Sequence, residues 1–160
     1  MKHLYALLIL IACSFMSSCM SEEAATKPPE DEFTRSLPHY TKTALYDKTA
    51  AWMLNNPIMS RQPGGAGDDL AATVISYGDT KIAPEGSSIA MRVGFTMSVY
   101  VRDEAIDIKF TYLRRLYGSP EYDVPINDVF FRNSTGMPYH RAAQVRFSSF
   151  VQSLVDYIVQ

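Results

Sequence analysis

The sequence predicts an α+β domain in which two helices pack on one face of an antiparallel sheet of three to five strands. Positions 89–101 alternate with a period of two. After Asp103-Glu104 the parity of the alternation reverses. An amphipathic helical pattern lies at each end of the domain. Strands that are apolar on one side only, together with helices that are apolar on one side only, bury both surfaces by stacking in two layers.

The first helix is expected from about 41 to 55, where Leu45, Thr49, Trp52 and Met53 recur at i, i+4, i+7 and i+8. Asn55-Asn56-Pro57 ends it, because a residue before proline resists helical angles. A loop rich in Pro and Gly, 63–69, ends in Asp68-Asp69 and precedes a strand at about 70–77, with a short extension at Lys81-Ile82. In the long strand Ile89, Met91, Val93, Phe95, Met97, Val99 and Val101 share one side, and Arg92, Thr96, Ser98, Tyr100 and Arg102 share the other. Beyond the turn, Ile106, Ile108, Phe110 and Tyr112 take the apolar side.

For the two apolar sets to share a face, the numbers of facing residues must add to an odd sum. A two-residue turn at 103–104 or a four-residue turn at 102–105 sets Val99 against Ile108, Met97 against Phe110 and Phe95 against Tyr112. The opposite side then pairs Thr96 with Thr111, Ser98 with Lys109 and Tyr100 with Asp107. The same sum places Arg92 against Arg115, with Arg114 adjacent. Segment 118–139 reads as a long loop, broken by a short strand at 129–131, and a closing helix follows at about 141–159 with Ala143, Phe147, Phe150, Leu154 and Ile158 on one stripe.

Upstream of the domain, Lys2, an apolar run from Leu4 to Met16 and the small residues Ser17-Ser18 form the three parts of a secretory leader, 1–18. Met16-Ser17-Ser18-Cys19 resembles the lipobox of bacterial lipoproteins. That resemblance implies diacylglycerol on the Cys19 thiol, cleavage before it and acylation of the new amino group. A plain signal or an uncleaved anchor is the other reading, although the uncharged run ends at Ser21, short for a span of ~20 apolar residues, and Glu22-Glu23 rather than Lys or Arg follow it. Met20 after the cysteine resembles lipoproteins sent to the outer membrane. Membrane attachment through lipid on Cys19 is therefore expected, with the domain facing the periplasm or the cell surface.

Residues 19–34 read as an acidic tether, with five carboxylates against Lys27, too polar to order itself. The domain, 35–160, carries 13 basic and 12 acidic residues, so it lacks the basic footprint that nucleic-acid binding requires. Cys13 leaves with the leader and Cys19 is acylated, so a mature domain has no disulfide, no thiolate nucleophile and no cysteine-bound metal.

Leu45-Tyr46-Asp47-Lys48-Thr49-Ala50-Ala51-Trp52, a loop with Gly and Asp, a strand ending near Tyr77-Gly78, a long hairpin and a closing amphipathic helix are similar to an uncharacterised bacterial envelope family with a TATA-binding-protein-like fold. The resemblance spans about 35–160 and implies a curved sheet backed by helices. It implies no activity, and the weak first strand at 32–37 departs from the pattern.

No catalytic residue, metal site or cofactor is expected. His39 and His140 have no metal-ligand spacing, no Gly-Lys-Ser/Thr follows the Gly-rich loop, and no nucleophile elbow is present. The expected function is non-enzymatic binding of an envelope protein or a small ligand on the open sheet face, with Arg92, Tyr100 and Arg115 as binding residues. The alternative is an envelope hydrolase with a site drawn from His140, Asp68 and Asp69.

Overall fold

The computed structural model of the protein describes residues 29–59, 72–116 and 124–160. The leader, Cys19, Asp68 and Asp69 lie outside the described residues. The elements run β1 (Glu30–Ser36), α1 (Lys42–Asn55), β2 (Thr73–Ile82), β3 (Met91–Arg102), β4 (Ala105–Leu116), β5 (Val124–Pro125), α2 (Asp128–Arg132) and α3 (Met137–Val159). All strand pairs are antiparallel in the order β1-β4-β3-β2, and β5 continues the β4 edge beside β1. Helices cover one face, as the one-sided strands require.

The central hairpin has the expected pairing through the turn. Val99 faces Ile108, Met97 faces Phe110, Phe95 faces Tyr112 and Tyr100 faces Asp107, around a two-residue turn at Asp103-Glu104. The turn is held from outside. Lys42 N–H, one of the orphan donors of the α1 N-terminus, donates to Asp103 Oδ1 at 2.9 Å, and His39 N–H donates to Glu104 Oε1 at 3.2 Å. Thr41 caps the same helix by accepting from Ala44 N–H.

Phe147 of α3 is the centre of the core. Its ring stacks on Phe110 at 4.2 Å and 8°, with Phe95 at 4.9 Å and Tyr112 at 5.2 Å. α1 lies beside α3 and is tied to it by polar contacts as well as packing. Lys48 Nζ donates to the Ile158 carbonyl near the α3 C-terminus at 2.6 Å, where the helix dipole favours a cation, and Trp52 Nε1 donates to Ser153 Oγ at 3.3 Å.

Four expectations are corrected. The acidic tether does not extend to 34, because Glu30–Thr34 belong to β1: its odd positions point inward, and pairing with β4 supplies the order that composition alone could not. The segment at 129–131 is helix, not strand, since Asn127 caps α2 by accepting from Phe130 N–H. α3 begins at Met137 rather than 141, because Pro138 lies in the first turn, where its missing N–H costs no bond. Glycine is needed just before it: a Cβ on Gly136 would stand 2.0 Å from the Phe130 carbonyl oxygen.

The fourth correction concerns Arg92. Between the Phe95–Tyr112 and Gly94–Arg114 pairs, β4 advances two residues against one in β3, so Leu113 is the extra residue of a β-bulge. Arg92 consequently faces Leu116 and Val93 faces Arg115. The expected pair of facing arginines does not form.

Thr49 is fully buried in α1, and its hydroxyl has no hydrogen-bond partner among the described residues. Exchanging a buried unsatisfied hydroxyl for a methyl group removes a desolvation penalty. Thr49→Val is therefore expected to raise stability by about 1–3 kcal/mol, read as a higher urea midpoint at unchanged slope.

Candidate functional site

Two polar arrangements are built by the sheet, one on each side. The open face presents three rows that cross four strands. Thr34, Asp107, Tyr100 and Thr73 form one; Glu32, Lys109, Ser98 and Ile75 the next; Glu30, Thr111, Thr96 and Tyr77 the third. Tyr100 and Tyr77 are 45% and 48% exposed, so two aromatic rings stand on a face that is otherwise polar except for the half-buried Ile75.

Around Tyr100 the charges are ordered by their neighbours. Asp107 accepts from Thr34 Oγ1 at 2.8 Å and pairs with Arg102 at 2.7 Å, and Lys109 Nζ pairs with Glu30 at 2.9 Å. The Thr34 hydroxyl chiefly holds the Asp107 carboxyl below the usual range; burial opposes it, and the bond to and charge of the Arg102 guanidinium add to the lowering. The Glu30 carboxylate raises Lys109. A carboxylate, an ammonium and a phenol thus rim a shallow depression of about 290 Å³ lined by Thr34, Tyr100, Asp107 and Lys109, with Glu32 at its edge.

The residues singled out from the sequence separate. Tyr100 is in this depression. Arg92 is farther along β3 and makes a two-pronged bond to Asp79 of β2, Nε to Oδ1 at 3.0 Å and Nη2 to Oδ2 at 2.7 Å. Arg115 is carried by the bulge toward α2, where its guanidinium lies 4.7 Å from the Phe130 ring. The three do not form one cluster.

The second arrangement is beneath the helices and centres on Asp31. Parity places this β1 carboxylate on the inner face, 9% exposed. Its Oδ2 accepts from the Tyr112 hydroxyl, and its Oδ1 accepts from Gln144 Nε2 at 3.0 Å, with His140 Nε2 at 3.4 Å. His140 stacks on Phe131 at 4.7 Å and 4°. Burial, followed by the bond to Asp31, pushes the Tyr112 hydroxyl far above its ordinary value, so it remains a neutral donor. The carboxylate therefore ties β1 to β4 and to the first turns of α3. Sequence reasoning missed it because Asp31 and His140 are 109 positions apart. The one available signal was the odd-number parity of Asp31 with Phe33 and Leu37. His140 is thus brought to Asp31, and among the described residues no group of three acidic, His or Cys side chains is arranged to hold a metal.

Tyr112→Phe is expected to cost about 1–3 kcal/mol at neutral pH by leaving a buried carboxylate oxygen short of a donor. The same variant should flatten the alkaline limb of the stability curve. A phenol raised on folding favours the native state below the ordinary tyrosine value of about 10, and that contribution falls as pH rises above it. For Asp107 the sign is opposite. Its lowered value stabilises the fold above about pH 4, and the gain is lost as pH falls through the lowered value. Asp107→Asn should therefore be less stable than wild type at pH 7, by under ~1 kcal/mol because the pair is solvent-screened, and the two midpoints should converge on acid titration.

Comparison with known proteins gives likeness of fold. No family model matches the chain, and no curated protein matches it. Among solved structures, a TBP-like protein from Parabacteroides distasonis ATCC 8503 superposes with a TM-score of 0.60 at 9% identity, over 82% of this chain and 92% of that one. A DUF4468 family protein from Bacteroides ovatus ATCC 8483 superposes with a TM-score of 0.56 at 15% identity, over 82% of this chain and 85% of that one. Neither name states an activity, and at these identities the likeness shows that the domain has a TBP-like fold.

Proposed function

We propose that the protein is a lipid-anchored domain of the bacterial cell envelope, carried to the outer membrane, that binds an envelope protein without catalysing a reaction. The observation that carries the binding reading is the open sheet face. Helices cover the other side, and this side spreads exposed Tyr77 and Tyr100 among fixed charges of both signs over four strands. A broad face with a depression of only about 290 Å³ suits a partner surface, whereas a catalytic pocket needs a concave site with converging titratable groups. Rigid aromatics that keep a polar tip are the side chains most often used as anchors in such contacts.

The anchor reading rests on Lys2, the apolar run and Ser17-Ser18-Cys19. Each buried methylene of the attached lipid contributes ~0.8 kcal/mol, and two or more chains hold a protein on a bilayer far more firmly than one. No described helix is long and apolar enough to cross a membrane.

The test uses the intact lipidated chain, purified from detergent-solubilised membranes and compared with Cys19→Ala and Tyr100→Ala. Wild type is expected to incorporate labelled palmitate and to recover an envelope protein in near-equal amount. Cys19→Ala should lose the label, and Tyr100→Ala should keep the label but lose most of the partner. If wild type recovers no protein, the partner reading fails, and small ligands of the Tyr100 depression become the object of the search.

A further inference from the structure

An apolar surface at one end of the molecule is left unused by the open sheet face. The segment joining β2 to β3 runs past the first turns of α3 and leaves a groove of about 560 Å³ lined by Ala83, Pro84, Pro138, Ala142 and Val145, with the Glu85 carboxylate also in its lining. Val145 is 73% exposed, Ile89 of the same β2–β3 segment 69%, and Met137 at the start of α3 42%. The segment is fastened to the helix, since the Tyr139 hydroxyl donates to the Ile89 carbonyl at 3.4 Å. Arg141, at the groove wall, places Nη2 3.8 Å from Met137 Sδ, so a cation borders the apolar side chains.

This surface lies at one end of the sheet, along the first turns of α3 that also bind the N-terminal segment. β2 ends at Ile82, β3 begins at Met91 and β4 ends at Leu116, all at one end, and the Asp103-Glu104 turn is at the other. The chain enters the fold midway along β4, where Glu30 faces Thr111, and beside the first turns of α3: the Pro29 carbonyl accepts from Tyr112 N–H, and Asp31 is bound by His140 and Gln144 of α3. Ten residues separate Cys19 from Glu30. The eleven steps from Cys19 to Glu30 span at most about 40 Å when fully extended, so a lipid on Cys19 keeps the point of chain entry beside α3 within that distance of the bilayer.

We infer that the Ile89–Met137–Val145 surface docks on the lipid bilayer that holds the Cys19 anchor, with these side chains in the interface and Arg141 extended to the headgroups. The inference rests on the proposed lipidation and adds an orientation to it. Apolar side chains that remain exposed in solution lose their contact with water at the headgroup boundary, and a long cationic side chain there keeps its charge wet. The tether supplies the high local concentration that a patch this small needs in order to bind. Docked this way, the domain places the Asp103-Glu104 end away from the membrane and leaves the open sheet face accessible from the side.

The mature chain has no free thiol once Cys19 is acylated, so single cysteines report cleanly. Spin labels at Ile89→Cys, Val145→Cys and Ser36→Cys would be read on the full lipidated protein in vesicles of phosphatidylethanolamine and phosphatidylglycerol. Ser36 is exposed beside the far turn. Labels at 89 and 145 should gain accessibility to dissolved oxygen and lose accessibility to a water-soluble nickel complex several-fold relative to label 36. Equal nickel accessibility at all three sites, on protein that floats with the vesicles, would overturn the docking and leave the anchor intact. Protein that fails to float and carries no lipid by mass would overturn both. Protection at 89 and 145 without vesicles, rising with protein concentration, would assign the surface to a second copy and overturn the inference equally.

Discussion

The constraint on which this structure depends is that a sheet apolar on one face must be covered on that face. Phe95, Met97, Val99, Ile106, Ile108, Phe110 and Tyr112 all emerge on the same side, each almost fully buried. Phe147 answers that demand by lying flat on Phe110 between Phe95 and Tyr112. Removing such a ring from a packed core typically costs ~3–5 kcal/mol, a large share of a domain's net stability. The position of α3, and with it the position of everything α3 touches, follows from that one contact. α1 is placed second, through Trp52, Lys48 and the shared apolar seam with α3.

Coverage of one face creates the buried polar problem on β1. An edge strand rich in carboxylates joins a sheet whose inner side is hydrocarbon, and parity sends Asp31 inward. A lone carboxylate there would be costly, so its oxygens receive the Tyr112 hydroxyl, the Gln144 amide and the His140 ring. The arrangement is asymmetric in effect. It adds little that an apolar pair could not supply, but it tolerates no missing partner, and it fixes where the N-terminal segment enters relative to α3.

The bulge at Leu113 divides the sheet into two regimes. On the turn side of it, the hairpin follows strict alternation, and the open face is a regular array in which Asp107 and Lys109 flank Tyr100. Beyond it, the pairing parity changes, Arg115 moves toward Phe130 and Arg92 is matched by Asp79. A single inserted residue thereby turns an expected basic cluster into separate contacts, while Tyr100 keeps Asp107 and Lys109 beside it.

The sequence by itself determined the two-layer class, the hairpin pairing from 95 to 112, the place of its turn though not the turn's length, and the buried stripes of both long helices. These follow from periods of 2 and 3.6 and from local stop signals, which act over a few residues and are written into neighbouring side chains. Only the tertiary structure decided the seven-residue β1, the helix at 128–132, the bulge and the union of Asp31 with Tyr112, His140 and Gln144. Each of these depends on a partner remote in the chain: β4 orders a segment that is too acidic to fold alone, and a bulge becomes visible only against the strand it fails to match. Composition could show that Glu30–Thr34 was polar, but only its place beside a hydrocarbon layer made one of its carboxylates the tie between sheet and helix.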